Sequence, residues 1–158
     1  MQTENDCRND FDFLTGTWNV HHKLLKGRLK GSTEWDEFEG TCVDKKILNG
    51  LGNFDEVVMY AKAGTFHAVA VRLFDVHSKE WSIYWAAGTS GISDVPMLGG
   101  FKDGRGEFYS QEIFEGIHIF SRFIWSRITP ASCQWEQAFS ADGGKTWETN
   151  WIMEHERA

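Results

Sequence analysis

Along most of the chain polar and apolar residues alternate with a period of two, in short runs that end at Gly- or Asp-bearing turns. The alternation predicts strands over 17–25, 31–39, 41–49, 53–61, 66–74, 79–87, 105–113, 117–128, 132–140 and 146–156. The breakers between them include "KGRLKG", "EGT", "NGLGN", "AKAGT", "KDGRG", "FEGI" and "DGGK". Such residues supply positive φ and local side-chain hydrogen bonds, which reverse a chain. Only the first dozen residues look helical, and "NDFDFL" makes a short turn at most. The longest irregular stretch is "AGTSGISDVPMLGG", 87–100. No linker, low-complexity tract or repeat divides the chain, which excludes solenoids and propellers. It reads as a single domain over 1–158 with an N-terminal arm over 1–12.

About ten antiparallel strands on short turns leave sheet edges that must be protected, and closure removes them. The expected fold is therefore all-β, a single antiparallel up-and-down β-barrel of about ten strands. At that strand number a barrel keeps room for a small ligand. A two-sheet sandwich is the weaker alternative, because its crossovers need longer connections than most of those available.

Since side chains alternate across a strand, one anchored residue assigns a whole set. The inner sets read as Trp18, Val20, His22 and Leu24; Thr33, Trp35 and Glu37; Trp81, Ile83 and Trp85; Cys133, Trp135, Gln137 and Phe139; and Trp147, Thr149, Trp151 and Met153. In 66–74 both faces are apolar and one carries Arg72. In 117–128 Arg122 lies on one face, Trp125 and Arg127 on the other, and alternation does not say which is inner.

Composition changes this picture at one point. The 158 residues include 8 Trp and 12 Phe, so the interior is either a thick aromatic core or a cavity with aromatic walls. The remaining composition narrows the partners. A net charge of −7 without a long basic run argues against nucleic acid and anionic membranes. Three cysteines, Cys7, Cys42 and Cys133, lack C-x-x-C spacing and read as free thiols of a reducing compartment. No apolar h-region is visible in "MQTENDCRND", and no run is long enough to span a bilayer, so a cytoplasmic location is expected.

Candidate chemistry is sparse. "FSADGGKTWETNW" contains S-x-D-x-G-x-T-W, which looks like the Asp-box of sialidases and propellers. One copy in a short chain reads as a hairpin device, with Trp147 tucked under the loop. His21 and His22 point to opposite faces of a strand and cannot chelate one metal there, so no metal site is expected. Asp55 and Glu56 also face opposite ways, so one points inward, either as an acid or base or paired with Arg72 or Arg122. Neither "GLGN" nor "GGFKDGRG" sits between a strand and a helix, as a dinucleotide site requires. No hydrolase, metalloprotease or zinc-finger motif is present.

"FLTGTWNV" places a G-x-W at the start of the first long strand, which resembles the lipocalin and calycin signature. Together with "LNGLGNFDE", "RLFDVHSKEWSIYW", "GEFY", "RFIWS" and "WEQAFSADGGKTWETNW", it is similar to a bacterial family of lipocalin-like proteins without an assigned activity. The resemblance runs from about residue 10 to 155 and implies a calycin-type barrel. It also implies that Trp18 packs near the closed end under an arginine from a late strand, here Arg122. No reaction follows from it, since one fold hosts many functions.

The expected function is binding of a small apolar or aromatic molecule among Trp35, Trp85, Trp125 and Trp151, with Arg122 and Gln137 as further contacts. His22, Asp55 and Arg72 are the candidate polar or catalytic groups. The alternative is a cofactor-independent isomerase or cyclase that uses an inward acid or base in the same cavity. A purely structural or partner-binding domain is the third reading. No cofactor, haem included, is expected. Oligomeric state is left open, a homodimer included.

Overall fold

The computed structural model describes residues 7–158. Of the arm expected over 1–12, the first six residues lie outside the described ones. Two single 3₁₀ turns, Cys7–Asn9 and Asp12–Leu14, lead into the sheet, as the brief helical signal predicted. Eleven strands follow: β1 Gly16–Leu25, β2 Trp35–Ile47, β3 Gly52–Ala61, β4 Gly64–Asp75, β5 Glu80–Ala87, β6 Gly91–Ile92, β7 Met97–Lys102, β8 Arg105–Phe114, β9 Ile117–Ser126, β10 Ser132–Ser140 and β11 Glu148–Arg157. All pairings are antiparallel and run in chain order, β4 pairs with β5, and β11 returns to β1. Ten strands thus close an up-and-down barrel, while the two-residue β6 folds back on the end of β5.

The total of ten has a compensation inside it. The strands expected over 31–39 and 41–49 are one long strand, because Gly40 does not turn the chain. Gly40 pairs with Val20 on one side and Met59 on the other. A Cβ there would lie 2.4 Å from the Val58 carbonyl oxygen and 2.9 Å from His22 Nε2. Glycine is present for close approach, not for reversal. The missing strand is recovered in the stretch read as irregular, where β7 pairs with β5 and β8.

One end of the barrel is filled. Phe11 enters from the N-terminal turns and is 2% exposed, with its ring 5.0 Å from that of Trp81 and 4.9 Å from that of Phe101. Trp18, Phe74, Phe108 and Trp125 complete this plug. The arginine over Trp18 is Arg157, on the last strand, with Cζ 3.8 Å from the ring centroid. It also donates to the carbonyls of Phe13, Thr15 and Pro130. Gly16 has φ of +126°, and a Cβ on it would meet Arg157 Nη1 at 2.6 Å. The glycine of G-x-W is demanded by its positive φ and leaves room for the arginine that seals the closed end. Arg122, expected in that place, faces outward, with Cζ 4.4 Å above the Trp147 ring.

Two further facings are corrected. Trp35 lies on the outer face opposite Leu25 and is 36% exposed, while Asp36 and Phe38 occupy the inner face. The expectation kept charge outside, but Asp36 sits at the rim, where water still reaches an inner-face carboxylate. Trp147 and Thr149 are not inner either. Gln137 pairs with Trp151 but Ala138 pairs with Thr149, so Asn150 is an extra residue in β11. Such a bulge reverses the alternation beyond it. Trp151, Met153 and His155 point in, and Trp147 packs outside against Tyr109 and Arg122.

The "SADGGKT" turn is the hairpin device expected. Ser140 Oγ donates to Asp142 at 2.8 Å and accepts from the Gly144 amide at 2.8 Å, and the Thr146 amide donates to Asp142 at 2.9 Å. The Thr146 hydroxyl also donates to Asp142 at 2.5 Å, and this bond, with those from the Thr146 amide and Ser140, holds the Asp142 carboxyl down at about 2. Among the described residues no helix is long and apolar enough to cross a membrane.

Candidate functional site

Above the plug the interior becomes polar. Arg72 Nη2 meets Asp55 Oδ2 at 2.7 Å, and Nη1 donates to Asn53 Oδ1 at 3.0 Å and lies 3.5 Å from Asp44 Oδ2. All four residues are buried. Asp55 also accepts from the Ala70 amide at 3.2 Å. One guanidinium thus faces two carboxylates, and Asp55 takes the shorter contact. Burial pushes Asp44 up to about 7 against the pull of Arg72. For Arg72 itself burial works downward, yet the two carboxylates outweigh it and hold the charge in place. The guanidinium also stands 5.3 Å from the Phe11 ring and 5.6 Å from that of Trp125. Asp55 is therefore the inward member of its pair, and its partner is Arg72. The void beside Asp55, Arg72 and Trp125 measures only about 20 Å³, which is room for about one water.

The other half of the barrel is open. A cavity of about 250 Å³ lies among Trp85, Phe123, Trp135, Trp151, Phe114 and Phe139, with Arg28, Glu112, Ser121 and Gln137 as its polar groups. The indoles meet edge to face, Trp85 and Trp151 at 5.8 Å and 82°, Trp135 and Trp151 at 5.4 Å and 90°. Ser93 and Val95, from the segment between β5 and β7, lie across the cavity. They are held by a bond from the Ser93 amide to the Trp85 carbonyl at 2.8 Å. Gln137 is fixed by donating to Asn150 Oδ1 at 2.8 Å, so the β11 bulge also positions a cavity side chain.

Arg28 and Trp151 also border a second space, about 620 Å³, beside Leu24, Phe38, Met59 and Phe66. Trp151 is the partition between the two. Its Nε1 donates to His22 Nδ1 at 3.2 Å, and the His22 ring stacks on Phe38 at 4.8 Å and 11°. Burial, with His21 adding to it, pushes His22 down to about 4, so the imidazole is neutral near pH 7. Because Nδ1 accepts, the proton sits on Nε2, which points at Gly40 and has no hydrogen-bond partner among the described residues. His22 holds Trp151 in place and does not line either space. His21, on the outer face, lies between Glu37 and Glu39.

Of the residues expected at the site, Trp85, Gln137 and Trp151 converge on the cavity of about 250 Å³. Trp125, Asp55 and Arg72 sit one layer deeper, at the small void. Trp35 and Arg122 are outside the barrel and reach neither. Sequence reasoning placed Trp135 inside without giving it to the site, and missed Phe123, Glu112 and Arg28. Glu112 was legible through alternation, since it shares a face with Phe108 and Phe114. Arg28 was hidden in "KGRLKG", where a turn signal masks the one side chain that folds back over the mouth.

A sequentially wound antiparallel barrel, with G-x-W capped by an arginine at its closed end, is of the calycin or lipocalin-like type. No family model and no curated protein matches the chain. Among solved structures it is similar to the S-type phycobiliprotein lyase CPES from Guillardia theta, with a TM-score of 0.65 and 8% identity over 98% of this chain and 94% of that one. It is also similar to EF1p2_mFAP2b, solved bound to DFHBI, with a TM-score of 0.52 and 8% identity over 96% and 99% of the two chains. At such identity the likeness is one of fold.

Proposed function

We propose that this protein binds a small, mainly aromatic molecule in the open half of its barrel. The observation that carries the reading is the cavity of about 250 Å³, framed by three crossed indoles and holding only a few polar groups. Apolar walls with sparse orienting groups are the make-up of small-molecule sites. The two structural neighbours lend support, one being a phycobiliprotein lyase and the other solved with DFHBI. Trp85, Trp135, Trp151 and Gln137 are the contacts we assign, and Arg72, Asp55 and Trp125 form the floor beneath them. The isomerase or cyclase alternative gains no support. Its acid–base candidates are spent on one another, as in Asp55 and Arg72, or on Trp151, as in His22, and the void beside the pair fits about a water.

Titration with 1-anilino-8-naphthalenesulfonate tests the proposal. The expected result is saturable 1:1 binding to the native state, quenching of indole emission, and a melting temperature that rises with dye concentration. Competition by naphthalene should displace the dye. Absence of binding, or binding of many dyes without saturation, contradicts it.

A further inference from the structure

The small-molecule reading leaves the charge of the ligand open, and Arg28 decides it. Its guanidinium borders both spaces at the open end and rests 6.0 Å from the Phe114 ring and 5.7 Å from that of Phe139. Three acids surround it and support its charge through space, and two of them have another engagement. Glu148 Oε1 accepts from the Leu29 amide at 2.7 Å, which pins the turn that carries Arg28. Glu115 is paired with Lys30 at 3.6 Å. Glu112 lines the cavity, and burial pushes its carboxyl upward against the pull of Ser121 and Arg28. Among the described residues Arg28 has no carboxylate within ion-pair distance, its acidic neighbours Glu115 and Glu148 being bonded to Lys30 and the Leu29 amide. A half-buried guanidinium over aromatic rings, aimed into an apolar cavity, has five donors to satisfy. Burial also weighs against its charge, which an anion placed there would relieve.

We infer that the ligand is a flat aromatic monoanion whose carboxylate, or an equivalent anionic group, is held by Arg28 at the mouth while its rings lie among Trp85, Trp135 and Trp151. This rests on the binding function proposed above and adds the ligand's charge to it. Gln137, buried in the same cavity, suits a second polar substituent such as a phenol or carbonyl.

Calorimetric titration with 2-naphthoate and its uncharged analogue 2-naphthamide tests the inference in the native protein and in Arg28→Gln and Arg28→Lys. Naphthoate should bind about tenfold more tightly than the amide, as a charge-assisted hydrogen bond provides. Arg28→Gln should abolish that preference and leave amide affinity within about twofold, whereas Arg28→Lys should retain part of it. Melting curves for both variants verify that the fold is intact. Equal affinity for the two probes in the native protein, or a preference that survives in Arg28→Gln, overturns the inference while the cavity reading stands. Failure of both probes to bind overturns the two together.

Discussion

His22, His155 and Asp44 are buried ionisable groups, and they pull the pH dependence of stability in opposite directions. Burial lowers His22 to about 4 and His155 to about 3, below the ordinary 6.5. Their folded forms bind fewer protons than the unfolded chain, so their contribution is complete above pH 6.5 and is lost as pH falls through the folded values. Asp44 is raised from 3.8 to about 7. Its contribution is complete below the unfolded value and is lost as pH rises toward 7 and beyond. Two imidazoles against one carboxyl leave stability rising between pH 4 and 6.5. In Asp44→Asn the opposing group is gone, so the rise across that interval should steepen, by on the order of 2 kcal/mol after allowance for relaxation. Urea midpoints measured from pH 4 to 8 in both proteins read this directly. A slope unchanged in the variant would show that Asp44 is ionised throughout.

At the scale of the element, β2 and β11 explain why strand facing was only half legible. Gly40 keeps β2 continuous and lets His22 lie against the backbone, so Gly40→Ala should destabilise by about 1–3 kcal/mol, as overpacking does. Chemical denaturation checks it, and a change under about 0.5 kcal/mol would mean that the strands part without strain. Period-2 alternation served well wherever both strand ends met a true turn. Trp18, Val20 and His22, the "WSIYW" strand and 132–140 all face as expected, because each has one face buried over most of its length. It failed at 31–39, where Gly40 was taken for a turn and the rim tolerates an inward carboxylate. It failed again at 147–149, since a one-residue bulge at Asn150 leaves no compositional trace. Arg28 was out of reach for a related reason: a loop has no period, and only the folded turn shows where its side chains point.

Across the whole molecule the surplus of aromatic residues does two jobs at two heights. Near the closed end Phe11, Trp18, Trp81 and Phe108 interlock as a filled core, sealed by Arg157. The Arg72–Asp55 pair forms a polar floor above them. Beyond it Trp85, Trp135 and Trp151 frame open space. Core and cavity, posed as rival readings of the composition, are layers of one barrel. The central claim is that ligand enters the upper layer and not the groove on the outer surface beside Trp147, Tyr109 and Leu98. Ser121 is 1% exposed and lines the inner cavity alone, so Ser121→Phe fills that space from within. The deciding measurement is calorimetric titration of 1-anilino-8-naphthalenesulfonate into Ser121→Phe beside the native protein, at a temperature where both are folded. Dye affinity should fall by at least about tenfold in the filled variant, and affinity equal to that of the native protein would contradict the account by placing the dye outside this cavity.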